Sequence, residues 1–204
     1  MRRTKEEAAI TRQNLLEAAF ECFRSKGYTE TTLDDIAERA GTTRGAIAWH
    51  FGNKAELFNT LVRERYERAA SIFREAAASS GGSPLQQLRE LLILWLTYAE
   101  EHPDFRAMLE LIQLKTELSP ELSEGMQEKV ERQRFTIDYF ASLIRRGIKA
   151  GELRADVDPE IAAQTALGMV NGITNSWLID QNSFSLKRIA AQAVDLLLLG
   201  MANK

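Results

Sequence analysis

The 204-residue chain has few of the side chains that carry out metal or nucleophilic chemistry. Cys22 is its single cysteine, which excludes an internal disulfide and argues against a thiolate zinc site. His50 and His102 are its two histidines, and no carboxylate pair has a clear catalytic spacing. We therefore expect no metal, no cofactor and no enzymatic activity.

Long apolar runs are also missing. No stretch of about 18 uncharged apolar residues occurs, so no membrane span is expected. The first residues, Met1–Glu7, are charged where a secretory signal would be apolar. The net charge of −3 argues against a protein that binds nucleic acid nonspecifically. Together these features predict a cytoplasmic location and no membrane partner.

Apolar residues recur at helical spacing along nearly the whole chain, and no segment shows the alternation typical of a β-strand. We predict an all-α fold of about nine helices, with one domain at 1–53 and a second at 54–204. Capping residues, glycines and prolines set the predicted boundaries. Helix one ends at Gly27, two runs from Thr32 to Gly41, three begins at Thr42 or Thr43, four runs from Asn53 to about Ala78, five from Pro84 to His102, six from Asp104 to Leu118, seven from Ser119 to Gly151, eight from Asp158, and nine from about Ser185 to Gly200.

Helices two and three are short, are joined by a tight turn and follow a longer first helix, which is the arrangement of a helix-turn-helix. In that motif the N-terminal end of the second short helix enters the major groove of double-stranded DNA. Ile47 and Phe51 would face inward and anchor this helix. A three-helix packing unit with polar caps would share much of this pattern, so spacing alone leaves both interpretations open.

The candidate DNA-binding residues are small, basic or able to form hydrogen bonds. Arg44 could donate two hydrogen bonds to guanine, and Gly45 would let the backbone approach a phosphate. The hydroxyls of the threonines, the ring N–H groups of Trp49 and His50 and the ammonium of Lys54 suit the phosphate backbone. The predicted set is Thr32, Thr42, Thr43, Arg44, Gly45, Ala46, Trp49, His50 and Lys54.

The segment TTLDDIAERAGTTRGAIAWHFGNKAELF resembles the DNA-binding domain of the TetR family of bacterial regulators, in the AcrR-type branch that represses multidrug efflux genes. The resemblance extends to RRTKEEA near the start and to NSWLIDQNSFSLKRIA near the end. It implies a homodimer of nine-helix subunits that binds a near-palindromic operator and is released by a small ligand.

Two positions depart from that branch. Ala48 stands where the branch usually has an aromatic residue, often tyrosine, that commonly meets DNA. Gly52 stands where lysine or asparagine is frequent. The resemblance therefore implies DNA binding without implying a particular operator.

The second predicted domain has an apolar face on helix eight that carries two amides, Asn171 and Asn175. Amides on such a face either bond neighbouring backbone and solvent or supply the polar groups of a mostly hydrophobic pocket. Aromatic residues and methionines at helical spacing, such as Trp95, Phe135 and Trp177, are expected in the core. Positions that match the ligand pocket of the branch are Leu92, Leu96, Leu109, Gln113, Phe140, Leu167, Val170, Asn171 and Asn175.

Helices eight and nine also carry a candidate dimer interface. Gly168 and Gly172 are four residues apart and would let another helix approach closely. Four successive leucines, 196–199, cover more than one helix face, so the core of one subunit cannot bury them all. We predict that Gly168, Gly172, Leu196, Leu197 and Leu199 contribute to a four-helix homodimer interface.

The resulting hypothesis is a transcriptional repressor of a multidrug efflux operon that a small hydrophobic ligand releases from its palindromic operator. A constitutive DNA-binding regulator with a filled core is an alternative, because pocket and core residues look alike in sequence. A helical enzyme is a third hypothesis, against which the scarcity of histidine and cysteine argues.

Overall fold

The computed structural model describes residues 5–79, 81–116 and 120–203. The all-α fold is confirmed: within these ranges the regular structure is helical, apart from an isolated antiparallel bridge between Leu153 and Ala202. None of the described helices is long and apolar enough to cross a membrane. The predicted helix boundaries at Leu118 and Ser119, and the start of the RRTKEEA segment, lie outside the described residues.

Nine α-helices and one short 3-10 helix (Pro120–Leu122) make up the described structure. Most predicted boundaries hold within a few residues, because caps, prolines and glycines act locally. The helices are α1 Lys5–Glu30, α2 Leu33–Arg39, α3 Arg44–Phe51, α4 Lys54–Ser79, α5 Pro84–Glu101, α6 Pro103–Leu114, α7 Ser123–Lys149, α8 Pro159–Ile179 and α9 Leu186–Leu199.

The chain divides into two compact units. The first comprises the chain up to Arg68 together with Ala107–Met126, and the second comprises the remainder. The end of α6 therefore groups with the N-terminal helices, and α4 supplies residues to both units. The predicted functional boundary between residues 53 and 54 stays a prediction.

Gly27 interrupts α1 where the sequence predicts its end. Its backbone is far from helical, at φ 80° and ψ 173°, and the last turn continues to Glu30. The carbonyl oxygen of Lys115 approaches so closely that a Cβ on Gly27 would lie 3.0 Å from it. The same carbonyl accepts a hydrogen bond from the Tyr28 amide at 3.4 Å. Only glycine combines this backbone conformation with this close approach.

The core of the first unit is aromatic at its centre. The rings of Phe23, Tyr28 and Phe58 lie 5.0 to 5.7 Å apart between centroids, mostly edge to face. The buried residues that surround them follow the apolar stripes of α1 to α4 and include Leu15, Leu16, Phe20, Ile36, Ile47 and Leu57.

The second unit packs α5 against α8 and α9. Two links join α5 to α9 outside the apolar core. Arg89 donates to both carboxylate oxygens of Asp195, at 2.6 and 3.0 Å. Glu100 accepts hydrogen bonds from the Ser185 hydroxyl and from the Lys187 amide at the start of α9.

The aromatic residues expected in the core separate into two groups. Trp177 is 2% exposed, as predicted, and Trp95 is half-buried. Phe135 is 71% exposed, so its predicted place in the core is wrong. It lies on the outer side of α7, where a single sequence cannot separate a surface aromatic from a core one.

Candidate DNA-binding surface and ligand-binding region

A reciprocal cap starts α2. Thr32 Oγ1 accepts a hydrogen bond from the Asp35 amide at 3.1 Å, and the Asp35 carboxylate accepts one from the Thr32 amide at 2.9 Å. These two bonds form a capping box, which confirms Thr32 as the predicted start of helix two. Lys26 Nζ also lies 2.6 Å from Asp35, and the hydrogen bonds from Lys26 and Thr32 hold the pKa of Asp35 well below its usual range. Asp35 thus stays ionised and keeps the cap intact.

Between α2 and α3 the chain turns within four residues. Gly41 adopts φ 61°, and the Thr42 amide donates to the Ala37 carbonyl at 2.9 Å. Thr43 is the N-cap of α3, because its hydroxyl accepts from the Ala46 amide at 3.3 Å. The sequence left Thr42 and Thr43 as alternatives, and the structure selects Thr43.

Ile47 and Phe51 anchor α3, with 0% and 8% of their surfaces exposed. Their predicted inward orientation is confirmed. The outer side of the helix exposes Gly45, Ala48 and Trp49. Arg44 is also exposed, although helical spacing places it on the same side as Ile47 and Phe51, at the N-terminal end of the helix. Ala46 and His50 are half-buried.

Trp49 is the large apolar residue of this exposed side. It is 74% exposed, and its ring meets the His50 ring edge to face at 4.4 Å between centroids. An indole this exposed does not contribute to the core. Of Trp49 and Phe51, only Phe51 therefore anchors the helix. The Trp49 N–H is the kind of donor that phosphate contacts use.

In the part of the chain that the structure describes, Arg44 has one weak intramolecular partner. Its guanidinium lies 3.7 Å from the Asp34 carboxylate, and the two side chains are 67% and 74% exposed. Exposed pairs at this distance contribute little, so Arg44 can exchange this partner for DNA at low cost.

Gly52 closes α3 with φ 81°. Glycine adopts this conformation without strain.

Lys54 is the first residue of α4, and its side chain does not point to solvent beside α3. Its ammonium donates to backbone carbonyls at the end of α1 and at Thr31. Among the predicted DNA-binding residues it therefore differs in kind from Arg44, Thr43 and Trp49.

The predicted ligand-binding residues lie in two places. Leu92, Leu96, Phe140, Leu167 and Val170 are buried in the second unit, each 3% exposed or less. On α8, Asn171 is half-buried and Asn175 is exposed. Leu109 and Gln113 belong to α6 in the first unit.

Gln113 also lines a cleft of about 480 Å³ in the first unit, where the end of α1 meets the end of α6. None of the other predicted ligand-binding residues lines it. Its walls are mostly charged or hydroxyl-bearing, among them Ser25, Lys26, Glu30 and Thr116. That chemistry does not suit a hydrophobic ligand.

Two buried polar groups on α8 were not in the predicted site. Thr174 and Trp177 are each 2% exposed, and in the described part of the chain neither Thr174 Oγ1 nor Trp177 Nε1 has a hydrogen-bond partner. The Arg106 guanidinium lies 5.9 Å from the centre of the Trp177 ring. Thr174 is four residues after Val170, so helical spacing could have identified it as the polar group on the buried face.

Gly168 and Gly172 lie on the outer side of α8, where a Cβ at either position would meet no atom within 4 Å. Ile161 and Ile179 extend the same side at helical spacing and are 67% and 75% exposed. The leucine run of α9 divides as follows: Leu196 and Leu199 are about 70% exposed, Leu197 is half-buried and Leu198 is buried.

No group of three or more His, Cys, Asp or Glu side chains in the described ranges could hold a metal ion.

Known proteins match this chain along nearly its whole length. Residues 15–61 match the tetR family of bacterial regulatory proteins, and residues 83–203 match the C-terminal region of the MAATS-type transcriptional repressors. The HTH-type transcriptional regulator AcrR of Shigella flexneri is 34% identical over 197 residues, which cover 97% of this chain and 92% of that protein.

Solved structures with a similar fold are also transcriptional repressors. NalD, the secondary repressor of the MexAB-OprM multidrug efflux pump in Pseudomonas aeruginosa, has a TM-score of 0.87 at 28% identity, covering 98% of this chain and 100% of that chain. SmeT is the repressor of the Stenotrophomonas maltophilia multidrug efflux pump SmeDEF. Its complex with triclosan has a TM-score of 0.78 at 29% identity, covering 96% of this chain and 93% of that chain. The chain therefore belongs to the TetR family of transcriptional regulators, in its AcrR-like branch, and is not an enzyme.

Proposed function

We propose that the protein is a ligand-responsive repressor of a multidrug efflux operon, which acts in the cytoplasm as a homodimer on a palindromic operator. The observation that carries this proposal is the two-sided character of α3. Ile47 and Phe51 anchor the helix on its buried side, whereas Gly45 and Trp49 on its outer side and Arg44 at its N-terminal end are exposed. Family membership, with relatives such as NalD and SmeT that repress efflux pumps, supplies the context.

In this proposal α3 enters the major groove by its N-terminal end. Arg44 reads a base, and Gly45 and Ala46 allow the backbone to come close. Thr32, Thr42, Thr43, Trp49 and His50 contact the phosphate backbone and set the orientation of the helix. Lys54 instead donates to backbone carbonyls within the first unit.

Two subunits place their α3 helices about one turn of DNA apart, ~34–36 Å, in successive major grooves. The apolar outer sides of α8 and α9 support this dimer. Gly168 and Gly172 permit close helix approach, and Leu196, Leu197 and Leu199 supply apolar surface that water would otherwise cover.

The ligand is a small hydrophobic molecule. Leu92, Leu96, Phe140, Leu167 and Val170 provide apolar surroundings in the second unit, to which we add the unpartnered donors of Thr174 and Trp177. Leu109, Gln113, Asn171 and Asn175 stay predictions. SmeT binds triclosan, a mostly apolar molecule with oxygen atoms that could accept hydrogen bonds from such donors.

Release requires the ligand to bind the DNA-free arrangement of the dimer more tightly than the DNA-bound one. Such coupling is typically about 1–3 kcal/mol, or a loss of operator affinity of about 5- to 150-fold. Because α4 runs through both units, it provides a direct covalent route for the change.

Fluorescence anisotropy on labelled DNA from upstream of the protein's own gene tests the proposal. We expect tight binding to one segment, loss of that binding in Arg44→Ala, and release by triclosan or another apolar compound. Operator binding that Arg44→Ala leaves unchanged would contradict the assigned base contact. Operator binding that no apolar compound reverses would favour a constitutive regulator.

A further inference from the structure

Lys54 is the first residue of α4, and its ammonium lies among three backbone carbonyls. Nζ is 3.1 Å from the oxygen of Tyr28, 3.4 Å from that of Thr29 and 3.1 Å from that of Thr31. An ammonium has three N–H donors, so these carbonyls engage all of them. Nζ also lies 4.5 Å from the centre of the Tyr28 ring, a cation–π distance.

The electrostatics of this position favour a cation. Tyr28 and Thr29 lie in the last turn of α1, where the carbonyls have no partners further along the helix and carry partial negative charge. The last turn of α1 contains no basic residue of its own. Lys54 therefore supplies from another helix the positive charge that many helices carry in their own last turn.

The same contact joins three helices of the first unit, namely α1, α2 and α4. Thr31 follows the end of α1 and precedes Thr32, the N-cap of α2. Its side chain is fully buried, and its hydroxyl donates to the Gly27 carbonyl at 2.6 Å. One ammonium thus links the end of α1, the start of α2 and the start of α4.

We propose that Lys54 is a positioning residue, which holds the helix-turn-helix in its DNA-binding geometry and makes no phosphate contact. This inference rests on the proposed DNA-binding function. It predicts that Lys54 affects DNA affinity through the geometry of the unit and contributes nothing to the salt dependence of binding.

Lys54→Met tests the proposal, because methionine keeps most of the aliphatic chain and removes the donors and the charge. The salt bridges Arg12–Glu64 and Arg65–Glu17 also join α1 to α4, so the variant is expected to fold. Lys54→Arg is the second variant: it keeps a charge that could meet a phosphate but replaces the compact ammonium with a planar fork. Arg44→Met, which removes an exposed cation of α3, is the comparison variant.

Three quantities are measured on the full-length protein: the Tm without DNA, the affinity for operator DNA at a temperature where every variant is folded, and the slope of log K against log salt concentration. For Lys54→Met we expect a lower Tm, about tenfold weaker operator binding if a tenth of the molecules keep the competent geometry, and an unchanged slope. Lys54→Arg is expected to follow Lys54→Met in Tm.

Other outcomes overturn the proposal. Loss of a phosphate contact lowers the slope by about 0.9 per subunit, or about 1.8 for a dimer. That result for Lys54→Met would make Lys54 a direct contact. A lower Tm with unchanged affinity in the folded protein would make its role stability alone. If the wild-type protein bound no DNA, the proposed function would fail. Separately, an unchanged Tm in both Lys54 variants would refute the positioning role of Lys54.

Discussion

Replacing Ile47 by alanine should detach the recognition helix from the unit that supports it. The α3 helix has eight residues, which is too short to be stable in isolation, so its anchors decide whether it is ordered. Ile47 is 0% exposed. An Ile→Ala change at a fully buried site costs about 2–5 kcal/mol, whereas Ile→Val costs about 0.5–1.5 kcal/mol. The larger cost is a sizeable share of a typical total of about 5–15 kcal/mol.

Urea unfolding followed by circular dichroism, at fixed protein concentration, measures this cost, and anisotropy measures the accompanying loss of operator binding. Ile10→Ala is the matched control, because Ile10 is 57% exposed on α1 and should change stability by no more than about 0.5 kcal/mol. Ile47→Val should lie between the two. A cost below about 1 kcal/mol for Ile47→Ala, with operator binding intact, would refute the anchoring role.

Three further predictions concern the second unit. Leu199→Glu should convert the homodimer to monomers in analytical ultracentrifugation and weaken operator binding; a stable dimer would exclude this face of α9 as the interface. Hydrogen bonds from Arg89 lower the pKa of Asp195, so their stabilisation is present above the ordinary aspartate pKa and lost as pH falls through the folded-state pKa. The Tm of Asp195→Asn should accordingly change less than that of wild type on acidification, and an identical pH profile would contradict this. Thr174→Val should raise the triclosan concentration needed for half-release of DNA. Thr97→Val is the control and should not, because the Thr97 hydroxyl already donates to the Leu94 carbonyl. Equal effects of the two variants would exclude Thr174 from the ligand site.

The helices and the inward anchors of α3 were predictable because they depend on neighbours along the chain. The Thr32 and Asp35 box, the Asn53 cap on Glu56 and the glycine break at Gly27 each involve residues within a few positions of one another. The spacing of Ile47 and Phe51 likewise indicates one helix face.

The candidate ligand site was less predictable. The sequence left open whether the amides of Asn171 and Asn175 face solvent or a pocket. Asn171 is half-buried and Asn175 is exposed, and the buried polar groups are Thr174 and Trp177. Helical spacing does place Thr174 and Trp177 on the stripe of Val170. The extent of burial at the edges of that stripe depends on which helices pack against it, and the sequence of α8 does not contain that information.

The sequence by itself therefore determined the all-α class, the caps, the helix-turn-helix and the family. Only the tertiary structure decided the role of Lys54, because its carbonyl partners lie 23 to 26 residues earlier in the chain. It likewise decided that Gly27 must accommodate the carbonyl oxygen of Lys115. The physical reason is range: caps and helical periodicity act over about four residues, whereas burial and long-range hydrogen bonds depend on which segments the fold brings together.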